Sequence, residues 1–176
     1  EENEKMTAAF ARLYGIVAEL REKCPWDRKQ TFESLRTNTI EEVYELSDAI
    51  VDARLDEVRK EAGDVMLHLM FYAVMGREQG AFPMEDLLEG ESEKLIRRHP
   101  HVYGDVSAQD SETVKQNWEK IKLREGNRSV LAGVPRSLPA MIKAQRIQEK
   151  AHGFGFDCVA TEDVWNQVQE ELSELR

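Results

Sequence analysis

Apolar residues recur at helical spacing along most of the chain, and they predict a succession of helices. Residues 4–23 place Met6, Phe10, Leu13, Ile16, Val17 and Leu20 on one face of an amphipathic helix. Pro25, in Cys24-Pro25-Trp26-Asp27, ends it because proline cannot continue a helix. The stretch from Arg28 to Asn38 is polar and less regular. Two helices come after it. The first carries Ile40, Val43, Tyr44, Ile50 and Val51, with small Ser47, at i, i+3, i+4, i+7 spacing. The second carries Val58, Ala62, Val65, Met66 and Leu69. Asp52-Ala53-Arg54-Leu55-Asp56 between them suits the turn of an antiparallel hairpin, with Asp56 as N-cap. The aromatics Trp26 and Phe32 either pack under this hairpin or line a pocket. Residues 65–75, VMLHLMFYAVM, are apolar almost all round. A small bundle cannot easily bury such a helix, so dimerisation is expected there. His68 within this run reads as a core histidine.

Further helices are expected at about 84–98, at 111–125 and from Ala140. Gly80-Ala81-Phe82-Pro83 is read as a turn, residues 102–110 as a loop and 126–138 as linker-like.

The hairpin also carries the acidic groups Glu41-Glu42-x-x-Glu45 and Glu61-x-x-Asp64. Glu42 with Asp64, and Glu45 with Glu61, are each disposed symmetrically about Ala53. Members of each motif lie three residues apart, hence on one helical face. Four carboxylates should therefore converge between the two helices, where they repel unless a cation joins them. An all-oxygen site suits Mg²⁺, or Mn²⁺, better than zinc. Lys94 and Arg98 share one face of their helix, and Trp118 and Lys122 share another. An aromatic and a cation at i, i+4 can stack on a base and touch a phosphate; Trp118 reads equally as a core residue. His99 and His101 flank a proline with no soft ligand near in sequence, and are read as non-metal.

Charge sharpens this picture. The 176 residues carry a net −10, which argues against a nucleic-acid polymer as partner. Residues 1–93 hold 11 basic and 22 acidic side chains, whereas 94–150 hold 12 basic and 6 acidic. An acidic half followed by a basic segment fits a site where metal and polyanion meet. No apolar run approaches a membrane span, and EENEKMTAAF is no apolar signal segment. The two cysteines, Cys24 and Cys158, lie outside any metal spacing and read as reduced thiols, so a cytoplasmic protein is expected.

The end of the chain repeats its beginning. Glu170-Glu171-x-x-Glu174 echoes the first acidic motif, and Asp157 precedes it much as Asp27 precedes Glu41. The expected organisation is a first module at 1–128, a linker at 129–139, and the start of a second module at 140–176. A longer protein is therefore expected.

EExxE followed at this distance by ExxD resembles the MazG family of nucleoside triphosphate pyrophosphohydrolases. CPWDRKQTFESL, EKLIRRHPHVYGD, NWEKIK and the Gly-Phe-Asp stretch opening the repeat are similar to the two-module bacterial members. The resemblance runs from about residue 16 to the end. It implies an all-α fold, a helical bundle that dimerises, and Mg²⁺-dependent cleavage of a nucleoside triphosphate to monophosphate and pyrophosphate. By motif position it implies Glu42, Glu45, Glu61 and Asp64 as metal ligands. It likewise implies Lys94, Arg98, Trp118 and Lys122 as nucleotide contacts. Glu41 is the spare carboxylate, either general base or outer hydrogen-bond partner. Two modules leave open which one catalyses, the other being structural or regulatory.

Two other classes compete for the same residues. Di-iron bundles use Glu-x-x-His, and here the second motif is Glu61-x-x-Asp64. A helical interaction module with an acidic face would show no metal dependence.

Overall fold

The structure is a computed structural model that describes residues 1–108, 110–126, 129–152 and 161–174. Every element among them is helical: α1 (Glu2–Lys23), α2 (Phe32–Val51), α3 (Leu55–Glu78), α4 (Met84–Arg98), α5 (Pro100–Tyr103), α6 (Ser111–Arg124), α7 (Ala140–His152) and α8 (Thr161–Glu174), with 3₁₀ turns at Asp27–Lys29 and Val130–Gly133. The chain divides into two compact units, Glu1–Ser92 and Glu93–Arg176, and the division falls within α4.

In the first unit α3 is central, with α1 and α2 packed against it. Its core joins Val17 of α1, Leu35 of α2, Met70, Phe71 and Met75 of α3, and Met84 of α4. The apolar run at 65–75 is thus used mainly inside the chain: Met70, Phe71, Ala73, Val74 and Met75 are buried. Gly76 continues this contact, because a Cβ there would lie 2.7 Å from the backbone oxygen of Phe82. His68 is a core histidine, with Nδ1 2.9 Å from Thr39 Oγ1, which also meets Tyr72 Oη at 2.5 Å.

Helix ends explain the connections. α2 closes with Ala53 N–H donating to Ile50 O and Arg54 N–H to Ala49 O. That paired pattern puts Ala53 at φ +54. Glycine normally takes this position; alanine there costs roughly 1–2 kcal/mol. α3 ends the same way, Gly80 N–H on Arg77 O and Ala81 N–H on Gly76 O, but with glycine at φ +64. Arg21 ties α1 to the Pro25 turn and to α3. Its guanidinium donates to Glu78 Oε2 at 2.6 Å and to the carbonyls of Asp27 and Gln30 at 2.5 and 3.0 Å.

Several local expectations are corrected. The polar stretch after Pro25 is not irregular throughout: α2 begins at Phe32, behind a reciprocal cap between Thr31 and Ser34. Trp26 does not pack and is 61% exposed, whereas Phe32 stacks on Tyr72 at 5.6 Å. Asp56 is not the N-cap of α3. Arg54 is, and Asp56 lies in the first turn, where a carboxylate still favours the helix dipole. The turn after α4 holds the short helix α5, begun by Pro100 at its first position. The largest correction concerns α2. Ile40, Val43, Tyr44, Ile50 and Val51, the residues at helical spacing, are not taken into the chain's own core but are all exposed, as are Met66 and Leu69 of α3. Leu35 and Ala49 make the buried contacts of α2 instead.

The second unit, residues 93–176, contains α5 to α8. Asp110 caps α6 through its carboxylate, which accepts from Thr113 N–H at 2.7 Å. α7 packs against the 3₁₀ turn at Val130–Gly133. Glu170, Glu171 and Glu174 are exposed on α8. The expectations for Asp157, Cys158 and the Gly-Phe-Asp stretch fall outside the described residues.

Candidate metal centre and cationic pocket

The hairpin turn sets the register that the two acidic motifs require. Glu42 and Glu45 on α2 and Glu61 on α3 each offer a carboxylate oxygen, and these three atoms lie within 4.8 Å of one another. Asp64 is half-buried and does not belong to that group. Glu61 is only 4% exposed. One of its oxygens accepts from Lys60 Nζ at 2.8 Å, while the other is buried with no hydrogen-bond partner. A buried carboxylate oxygen left unpaired is costly. The strain registers on Glu45, whose carboxyl is held above the usual range by the Glu61 charge first, then by burial, Glu42 and Glu41. Oxygen-only donors, excess negative charge and an orphaned buried oxygen together fit a hard divalent cation. The group holds no histidine or cysteine, which zinc sites and di-iron bundles normally include beside their carboxylates.

A cavity of about 320 Å³ opens beside this group, lined by Glu45, Asp48, Arg54, Glu57, Lys60 and Glu61. Asp48 and Glu57 were missed in the sequence. Asp48 lies three residues after Glu45 and Glu57 four before Glu61, so following each helical face one turn toward the bend would have found them.

The second unit gathers cations around Trp118. The Arg98 guanidinium lies 5.5 Å from the Trp118 ring centre, and His99 meets that ring edge-on at 4.8 Å. Arg98 and Arg97 both donate to Glu125, at 2.6 Å each. Those bonds, Arg98 first, push the Glu125 carboxyl down to about 2. Lys122 donates to Glu119 at 3.0 Å, and Lys150 of α7 donates to the other oxygen of Glu119 at 3.2 Å. Burial alone would raise the Glu119 carboxyl; the two lysines outweigh it and hold it low. Lys94, also expected to contact nucleotide, is half-buried on α4. The counter-charges Glu119 and Glu125 were not anticipated, because nothing in local spacing pairs Arg98 with a residue 27 positions away.

Comparison with known proteins gives this geometry a family. Residues 30–103, which contain both acidic motifs, match the MazG nucleotide pyrophosphohydrolase domain. The nucleoside triphosphate pyrophosphohydrolase of Escherichia coli (strain K12) is 42% identical over 171 residues, covering 93% of this chain and 65% of that protein. The nucleoside triphosphate pyrophosphohydrolase/pyrophosphatase MazG of Thermotoga maritima is 45% identical over 172 residues, 95% of this chain and 66% of that one. This chain thus spans about two-thirds of the length of these relatives. Among solved structures, the crystal structure of a mazG-related protein from Thermotoga maritima superposes with a TM-score of 0.55 at 27% identity, over 64% of this chain and 98% of that one. The carboxylate hairpin and the sequence relationships agree, and the chain belongs to the MazG family.

Proposed function

We propose that this protein is a nucleoside triphosphate pyrophosphohydrolase that cleaves its substrate to the monophosphate and pyrophosphate. Mg²⁺ is the working cation, and Mn²⁺ is able to replace it. The observation that carries this reading is the buried, unpartnered oxygen of Glu61 beside carboxylates of Glu42 and Glu45. These three would hold the cation, with Asp64 supporting from the next turn. When bound, it neutralises phosphate charge and makes a water more acidic. Glu41, exposed on α2, is the candidate base or an outer hydrogen-bond partner. Lys94, Arg98 and Lys122 would hold phosphates and Trp118 would stack on the base. The reading is tested by incubating the protein with mixed nucleoside triphosphates and Mg²⁺. Pyrophosphate is the expected product, and orthophosphate as the main product would sink it.

A non-catalytic MazG-like module is the rival, because Arg98 and Lys122 already carry carboxylate partners. It predicts no turnover in the same assay. We also place the division of the chain at 1–128, 129–139 and 140–176, with the repeat of the acidic motif as its support.

The protein is further proposed to work as a homodimer. Ile40, Val43, Tyr44, Ile50, Met66 and Leu69 are large apolar residues left exposed on the two arms of the hairpin, and a second copy of the chain would cover them. Light scattering should give about twice the 20.3 kDa chain mass. A monomer at micromolar concentration would contradict this. No helix among the described residues is long and apolar enough to cross a membrane. Nucleotide substrates and the free thiol of Cys24 fit a cytoplasmic setting, which fractionation of the source cells would check.

A further inference from the structure

A cavity of about 490 Å³ lies in the second unit between α6 and α7. Its walls include Trp118, Lys115 and Glu119 from α6, and Arg146, Glu149 and Lys150 from α7. That volume is within the range of about 300–1,000 Å³ usual for small-ligand pockets. Its charges do not balance. Arg146 pairs with Glu149 one turn along α7. Among the described residues, one carboxylate, Glu119, is then shared by two ammonium groups, Lys122 and Lys150. Lys150 is only 5% exposed, and lysines are rarely buried without full compensation. Both ammonium groups lie against the turn at Gly133, where a Cβ would meet Lys150 Nζ at 3.8 Å and Lys122 Nζ at 4.0 Å, ordinary contact distances. An aromatic wall, a buried surplus cation and a cavity of this size suit one ligand class, a nucleotide with its base near Trp118 and a phosphate near the lysines.

We propose that Lys150, with Arg146 at the rim, is a nucleotide-binding residue supplied by α7, the helix that opens the second repeat. The first module's nucleotide pocket is therefore completed by the second, and the second repeat is not merely appended. Lys150 and Lys122 share Glu119, so an anion that recruits one ammonium releases Glu119 to the other. The inference rests on the pyrophosphohydrolase reading and deepens it.

The test is calorimetric titration of the 176-residue chain with an α,β-methylene nucleoside triphosphate in Mg²⁺, beside KM from pyrophosphate release. Lys150→Met should weaken binding by about tenfold or more, the worth of a charge-assisted hydrogen bond, and raise KM more than it lowers kcat. Lys150→Arg, which keeps the charge, should restore most of the affinity. If Lys150→Met does not fold by circular dichroism, Arg146→Glu decides, because Arg146 is half exposed. It should weaken binding several-fold, and more so at low salt. Wild-type affinity in the folded Lys150→Met variant, or in Arg146→Glu where that variant decides, overturns the inference while the hydrolase reading stands. A wild-type chain that neither binds nor cleaves any nucleotide overturns both.

Discussion

Glu61→Gln should lower pyrophosphate release by at least about a hundredfold, since even outer partners of metal ligands are commonly worth 10- to 100-fold. The variant keeps the size of the side chain and removes the charge that a cation needs. Glu61 is the buried member of the group, and the orphaned oxygen is its own. Asp64→Asn should cost less, about tenfold, because Asp64 is outside the set of three converging carboxylates. Steady-state rates for the two variants, in matched Mg²⁺, check the order. A Glu61→Gln enzyme within a few-fold of wild type would remove the carboxylate group from the mechanism.

The second large effect is on stability. Mg²⁺ that binds only the folded protein should stabilise it by about 2.7 kcal/mol at one hundred times its dissociation constant. In metal-free protein the sign reverses for the mutant. Glu45 has a folded-state carboxyl above its ordinary value, chiefly because of Glu61. A raised carboxyl contributes stability that is fully present below the unfolded value and is lost as pH rises through the folded one. Metal-free Glu61→Gln should therefore melt at or above wild type near neutral pH, with its advantage growing as pH rises through the carboxylate range. It forfeits the Lys60 pair, but Lys60 is 62% exposed and such pairs contribute less than about 1 kcal/mol. Thermal melts of both proteins, with and without Mg²⁺, read the whole pattern. A wild-type melting temperature indifferent to millimolar Mg²⁺ would mean that no cation binds the folded hairpin.

Which parts of this were legible in the sequence depends on the range of the interactions. The register of the hairpin was, because facing residues in an antiparallel pair are equidistant from the turn, and the turn closes on Ala53. That alone brings Glu45 and Glu61 together. The start of α2 was not read, although Thr31 and Ser34 carry its cap; the unusual serine in place of an acidic partner hid it. Helical spacing identified an apolar face on α2 correctly as a face, but spacing cannot say what covers it. Within one chain the face toward α3 carries Glu42 and Ala49, and the face with Val43 and Ile50 is left outward. Pairings distant in sequence were the least legible. Arg98 with Glu125, and Lys150 with Glu119, depend on how α4, α6 and α7 come together, which no local pattern encodes.

The central claim is that carboxylates from both arms of the hairpin hold one divalent site, and Mn²⁺ reports it most directly. Crystals grown with Mn²⁺ should show an anomalous peak within about 2.2 Å of oxygens from Glu42 or Glu45 on α2 and from Glu61 on α3, the bond length usual for hard divalent ions. Glu61→Gln crystals should lose it. A peak elsewhere on the protein, or none at saturating Mn²⁺, would contradict the account.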